Sequence, residues 1–107
     1  MAKQPPFALI YDRAAVGHFA AIDAKYHSLI RAAIEEQLQF EPETATRDRK
    51  PLLRPIELGA RWELRLGPQN RFRVFYHVEA DEREVHILAI GVKERERLLI
   101  GGKEVKL

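Results

Sequence analysis

The chain has 107 residues, 46% of them hydrophobic, and a net charge of +2, so it can build one modest core and is too apolar for global disorder. It contains no cysteine, which excludes disulfides and thiolate metal sites. No apolar stretch reaches the roughly 20 residues of a membrane helix, and the first residues do not resemble a secretory signal. We therefore expect a cytoplasmic protein with one domain over residues 1–107 and no membrane partner.

The first third of the chain predicts one strand followed by two helices. The apolar residues 7–11 indicate a strand, and Asp12 is a suitable N-cap for a helix over residues 13–22. Asp23 can cap a second helix that runs to about Gln39, before Pro42 disfavours helical geometry. The apolar residues of this second helix recur every three or four positions and mark one buried stripe: Ile22, Tyr26, Leu29, Ile30, Ala33, Ile34 and Leu38.

The rest of the chain predicts an antiparallel sheet. Residues 41–60, with Pro42, Pro51 and Pro55 and many charges, are predicted to be a long connection. From residue 61 onward, apolar and polar residues alternate over 61–66, 71–78 and 84–90, with turn signals at 67–70 and 80–83. A Gly-Gly pair at 101–102 predicts a terminal hairpin, with a short helix over 94–99 as the alternative. The fold class is α+β, with the helices on the face of Trp62, Val74 and Ile87.

The other face of this sheet holds the candidate functional residues. A four-residue turn at 80–83 places His77 opposite His86, Phe75 opposite Leu88, and Arg73 opposite Ile90. Paired arginines can bind phosphate, an aromatic ring can stack on a base, and a histidine can transfer a proton. A wet sheet face also carries such residues without any function, and the aromatic is then a packing partner. The predicted open face collects Arg65, Arg73, Phe75, His77 and His86, with Glu63 at its edge.

The sequence predicts neither a metal site nor a cofactor. Two facing histidines would need a third ligand to hold a metal ion. The nearest carboxylates, Glu79 and Glu84, are expected to point elsewhere.

Charge is concentrated in the middle of the chain. Residues 47–73 hold eight basic and three acidic residues, a net charge of +5. Such a segment could bind a phosphate backbone or an acidic protein, or it could be a solvated face and a loop.

Three motifs in the predicted sheet resemble those of a known family. Trp62-Glu-Leu-Arg-Leu-Gly, Arg71-Phe-Arg-Val-Phe-Tyr-His-Val and Glu84-Val-His-Ile-Leu-Ala-Ile-Gly-Val-Lys-Glu-Arg resemble the three consecutive strands of the RelE/ParE toxins. The resemblance covers most of the chain and is concentrated in residues 61–97. It implies an N-terminal strand, two helices, and a three- to four-stranded antiparallel sheet with the helices packed on one face.

The resemblance also implies a function and partners. Such a protein is the toxin of a type II toxin–antitoxin module and is neutralised by a cognate antitoxin that covers its active surface. The RelE branch cleaves mRNA on the ribosome without a metal, and the ParE branch inhibits DNA gyrase. The implied catalytic candidates are Arg65, Arg73, His77, His86 and Lys93. The RNA-binding candidates are Lys50, Arg54, Arg61, Arg71, Phe75 and Arg95.

The chain departs from the family pattern at two places. Glu63 stands where RelE has a lysine, and the C-terminal Tyr or His-Tyr of several ribonuclease members is missing. A proton carrier would then have to be His77, His86 or Glu63. We therefore keep two alternatives beside the mRNA endoribonuclease: a gyrase inhibitor without nuclease activity, and a non-toxic relative that binds an antitoxin.

Overall fold

The structure is a computed structural model that describes residues 5–54 and 59–106. Along the chain, two α-helices follow the first strand and precede the other strands of one β-sheet. The helices are α1 (Arg13–His18) and α2 (His27–Leu38). In the described residues the sheet has seven strands: β1 (Ala8–Tyr11), β2 (Arg49–Pro51), β3 (Trp62–Leu66), β4 (Phe72–Glu79), β5 (Glu84–Glu94), β6 (Arg97–Ile100) and β7 (Lys103–Val105). Pro55, part of the predicted connection, lies outside the described residues.

Asp12 caps α1 as predicted, whereas Asp23 caps a 3₁₀ turn over Ala24–Tyr26 that leads into α2. Asp12 accepts a hydrogen bond from the backbone N–H of Ala14 at 3.0 Å, and Asp23 accepts one from Lys25 at 3.1 Å. The first helix is shorter than predicted, because the chain tightens into a 3₁₀ turn after α1 and then becomes extended at Ile22. No helix in residues 5–54 and 59–106 combines the length and hydrophobicity that crossing a bilayer requires.

The strands follow one another across the sheet from β2 to β7, each antiparallel to its neighbour. Strand β1 runs parallel to β5 and lies along its first half, whereas β6 lies along its second half. Both helices cover one face, which confirms the predicted α+β arrangement with a larger sheet than expected. The core between them is formed by side chains that are at most 1% exposed, among them Ile30, Ile34, Leu38, Leu64, Val74, Tyr76 and Ile87.

The prediction that residues 41–60 are only a connection was wrong, because β2 lies within them and pairs with β3. Arg49 of β2 is 4% exposed and donates from Nε to the carbonyl oxygen of Thr44 at 2.6 Å and from Nη1 to that of Gln37. A cation at the last turn of α2 also opposes the partial negative charge of that helix end. This strand could not be predicted from hydrophobic periodicity, because it is short, contains Pro51 and is surrounded by charged residues.

The predicted register between β4 and β5 holds only in its first half. His77 pairs with His86 as predicted, but Phe75 pairs with Ala89 and Arg73 with Gly91. Leu88 is an extra residue in β5, and such a bulge shifts all later residues by one position. The shift turns Ile90 into the helix-covered core, where it is 1% exposed.

The C-terminal residues form the predicted hairpin, in which β6 pairs with β7 around Gly101 and Gly102. Both glycines have positive φ angles, +61° and +81°, which glycine adopts without steric cost. The alternative of a helix over residues 94–99 was wrong.

Candidate phosphate-binding site

The face of the sheet that points away from α1 and α2, which we call the outer face, carries the two arginines singled out in the sequence. Arg65 of β3 and Arg73 of β4 are direct cross-strand partners. Side chains at such positions leave the sheet on the same side, with Cβ atoms about 5 Å apart. The prediction that the two arginines share one face of the sheet is therefore confirmed.

Glu63 lies between the two arginines. Its Oε1 atom is 3.0 Å from Nε of Arg65 and 3.6 Å from Nη1 of Arg73. Glu63 is only 6% exposed, so it does not lie at the edge of this surface as predicted. We call these three residues the arginine–glutamate cluster. Its carboxylate leaves one net positive charge on the three groups.

The turn before β4 positions Arg73. The Nε atom of Arg73 donates to the backbone carbonyl of Asn70 at 3.1 Å, and the Asn70 amide donates to Asp48 at 3.3 Å. Asn70 has a φ of +53°, a conformation that asparagine tolerates better than most residues. Sequence reasoning identified this turn but not its role in holding Arg73.

The two arginines differ in their access to solvent. The side chain of Arg65 is 37% exposed and that of Arg73 only 14%. Burial lowers the pKa of Arg73, and the Glu63 carboxylate acts in the opposite direction by stabilising the charged form. Arg65 can therefore contact a ligand directly. The more buried Arg73 adds positive charge beside it.

Phe75 does not lie on an open surface. It is fully buried in a second apolar cluster with Ala60, Ala89 and Leu98 on the outer face. The segment before β3 and the C-terminal hairpin supply Ala60 and Leu98, so tertiary contacts cover the ring. The proposed stacking of Phe75 on a base is therefore wrong for this conformation, and the packing alternative is the one observed.

His77 and His86 face each other with ring centroids 5.4 Å apart. Each Nε2 atom is 3.1 Å from a carboxylate of its own strand, Glu79 for His77 and Glu84 for His86. The expectation that these carboxylates point elsewhere was wrong, because residues two apart on a strand share a face. We call these four residues the histidine–glutamate group. Within residues 5–54 and 59–106, no three His, Asp or Glu side chains are grouped in a way that could hold a metal ion.

The predicted catalytic set is divided into two places. His77 is four residues from Arg73 along β4, about 13 Å at the usual strand rise. The buried Phe75 lies between them. One phosphate group therefore does not reach both the arginines and the histidines in this conformation.

The remaining basic candidates lie around the arginine–glutamate cluster or away from it. A groove next to the cluster is lined by Lys50, Pro51, Leu52, Leu53, Arg54, Glu63 and Arg65. Lys93 and Arg95 line a different groove with Arg71. Arg71 pairs with Glu94 at 3.8 Å, and its guanidinium lies 6.0 Å from the Tyr26 ring, so it is turned toward the helical layer. Arg61 is exposed immediately before β3.

Neither a protein-family model nor a curated protein sequence matches this chain. Among solved structures, a chain in the crystal structure of the toxin–antitoxin complex RelBE2 from Mycobacterium tuberculosis is similar, with a TM-score of 0.68 and 22% sequence identity. The similarity covers 87% of this chain and 98% of that chain. Because the identity is low, the similarity concerns the fold. It confirms the predicted fold, which this chain shares with that chain of the RelBE2 complex.

Proposed function

We propose that this protein is the toxin of a type II toxin–antitoxin module and inhibits translation in the cytoplasm by ribosome-dependent mRNA cleavage. The observation that carries the proposal is the cross-strand pair Arg65–Arg73 on the outer face. The fold shared with a chain of a toxin–antitoxin complex supports the same proposal.

The arginine pair suits the charge that develops during RNA cleavage. Attack of a 2′-OH on its neighbouring phosphate forms the P–O2′ bond and breaks the P–O5′ bond, while the 2′-OH proton is released to water and the leaving 5′ oxygen takes up a proton. The transition state carries extra negative charge on the phosphate oxygens. Guanidinium groups stabilise such oxygens through short, charge-assisted hydrogen bonds. Arg65 can contact the phosphate directly, and Lys50 and Arg54 in the adjoining groove can bind the flanking RNA backbone.

The proposed partner is a cognate antitoxin that covers this surface. Leu53, fully exposed in the groove beside Lys50 and Arg54, offers an apolar contact next to basic groups. A segment with acidic and apolar side chains would complement it. Co-expression with the adjacent reading frame should yield a stable complex on size-exclusion chromatography, and recovery of free protein alone would count against this partner.

The test of cleavage is inducible expression with mapping of RNA ends. Wild-type protein should arrest growth and produce breaks inside translated codons. Arg65→Ala should reduce cleavage by about 100-fold or more, the usual effect of losing one group that stabilises a transition state. Arg97→Ala is the matched control, because Arg97 lies on the terminal hairpin and pairs with Glu104. Full growth arrest with intact messages would exclude the nuclease.

One observation favours a second candidate, a ParE-like inhibitor of DNA gyrase without nuclease activity. The histidines lie away from the arginines, so the cluster is suited to binding and has no imidazole beside it for proton transfer. Purified protein should then inhibit supercoiling by gyrase while leaving translated messages intact. An unchanged supercoiling rate at saturating protein would rule out this candidate.

A further inference from the structure

Glu63 is an acid placed where the chain is otherwise basic. Lys50 is its cross-strand partner on β2, and one carboxylate oxygen, Oε1, contacts the guanidinium groups of both Arg65 and Arg73. The side chain is 8% exposed, and a carboxylate at that depth is stable only when it is paired. Glu63 is therefore held by the same cations that the proposed function assigns to RNA.

The donors that Glu63 engages are those a phosphate needs. Nε of Arg65 is hydrogen-bonded to Glu63, so only the terminal nitrogens of Arg65 remain for a ligand. Arg73 directs Nη1 toward Glu63 and Nε toward the Asn70 carbonyl. The guanidinium fork binds carboxylates and phosphates with similar geometry. A phosphate that uses the full fork of Arg65 must displace the carboxylate.

We propose that Glu63 is an intramolecular competitor that occupies the phosphate-binding position of Arg65 and Arg73 and sets the affinity of the site for an RNA phosphodiester. This inference rests on the proposed RNA-binding role of the arginine pair. Two consequences follow from an acidic residue at position 63. The free protein binds RNA weakly, and any event that moves Glu63 aside strengthens RNA binding.

The test compares the affinity of wild-type protein and Glu63→Gln for a fluorescently labelled single-stranded RNA, by anisotropy at several salt concentrations. Glutamine keeps a hydrogen-bond acceptor for Arg65 and removes the negative charge. We expect Glu63→Gln to bind roughly tenfold more tightly at low salt, since one opposing charge at contact distance is lost. The dependence of log Kd on log salt should steepen by about 0.7, the value for one additional phosphate contact on a single strand.

Glu104→Gln is the control for net charge, because Glu104 is exposed and pairs with Arg97 on the terminal hairpin. Its affinity should stay within about twofold of wild type, since surface charges at a distance are screened. Binding by Glu63→Gln that is equal to or weaker than wild type would overturn the inference. In that case, weaker binding by Arg65→Ala would leave the proposed RNA-binding role intact, whereas unchanged binding by Arg65→Ala would overturn that role as well.

A second measurement does not depend on the folding of a variant. The Arg65 Nε–H resonance of wild-type protein should shift when the RNA is added, as its carboxylate partner is exchanged for phosphate. A resonance that stays unchanged at saturating RNA would also contradict displacement of Glu63.

Discussion

Arg49 and Glu63 are the two buried charged residues within residues 5–54 and 59–106, and their surroundings differ. Arg49 meets backbone carbonyls of α2 and the following loop, so its charge is used to hold the chain together. Glu63 meets two other charged side chains, one of which reaches solvent. A buried charge bound to backbone is typical of a structural role, whereas the Glu63 arrangement leaves a cation available to a ligand.

Replacing Arg49 should destabilise the fold. Arg49→Ala leaves the carbonyls of Thr44 and Gln37 without their charged donor, and we expect the free energy of unfolding to fall by about 2–3 kcal/mol. Urea denaturation measures this. Arg47→Ala is the control, since that side chain is 89% exposed and its loss should cost under about 0.5 kcal/mol. Similar losses in both variants would contradict the role of Arg49.

His18 should make stability depend on pH. Its Nδ1 atom accepts the backbone N–H of Ile90 at 3.1 Å, at the point where β5 passes from its pairing with β1 to its pairing with β6. Burial lowers the pKa of His18, so the unfolded chain binds the proton more readily than the folded chain. The stability that neutral His18 contributes is fully present above its ordinary pKa of 6.5. It is lost as the pH falls through the lower pKa that His18 has in the folded state.

We expect the free energy of unfolding to be lower at about pH 5 than at about pH 7.5, with part of the difference due to His18. His18→Asn retains a side-chain acceptor that does not titrate, so the difference between the two pH values should shrink. Urea denaturation at both pH values tests this, and an identical difference in wild type and variant would show that His18 does not contribute.

At the scale of single elements, β5 has the largest effect on the site. The bulge at Leu88 turns Ala89 toward the outer face and brings Gly91 opposite Arg73. Without a side chain at Gly91, the β6 residues Leu98 and Ile100 can lie against β5. The sequence of β5 predicts simple alternation between the two faces. Because of the bulge, its residues contribute instead to both the helix-covered core and the outer apolar cluster.

Two glycine substitutions should have opposite effects. A Cβ atom at Gly91 would meet side-chain atoms of Leu98 and Ile100 and the carbonyl oxygen of Leu99, each at 3.0 Å. Gly91→Ala should therefore lower the free energy of unfolding by about 1–3 kcal/mol. A Cβ atom at Gly17 in α1 would meet nothing within 4 Å, so Gly17→Ala should raise it by about 0.5–1 kcal/mol. Thermal unfolding compares the two, and an unaffected Gly91→Ala would contradict the close packing of β6.

At the scale of the whole molecule, the outer face has three regions in sequence along β4. The arginine–glutamate cluster lies at one end, the buried Phe75 lies in the middle, and the histidine–glutamate group lies at the other end. The chain folds back over the centre with Ala60 and the terminal hairpin, which separates two polar surfaces that the sequence placed together.

This separation predicts that the two polar regions act independently. The double variant His77→Ala/His86→Ala should bind single-stranded RNA within about twofold of wild type, because the histidines lie about 13 Å from the arginines and do not reach the phosphate that the arginines bind. Arg65→Ala in the same anisotropy assay should bind more weakly. A loss in the double histidine variant as large as that in Arg65→Ala would indicate a single continuous site.

Much of this architecture follows from residues that are close together along the chain. The caps at Asp12 and Asp23 depend on hydrogen bonds to the next turn, and strand alternation together with the short β3–β4 turn places Arg65 and Arg73 on one face. The existence of β2, the bulge at Leu88 and the burial of Phe75 depend instead on segments that are distant in sequence. Short-range patterns describe what each residue prefers, but only packing determines which surfaces are covered and which charges meet. For that reason the shared face of the two arginines could be anticipated, while the burial of Glu63 and its contact with both of them required the folded molecule.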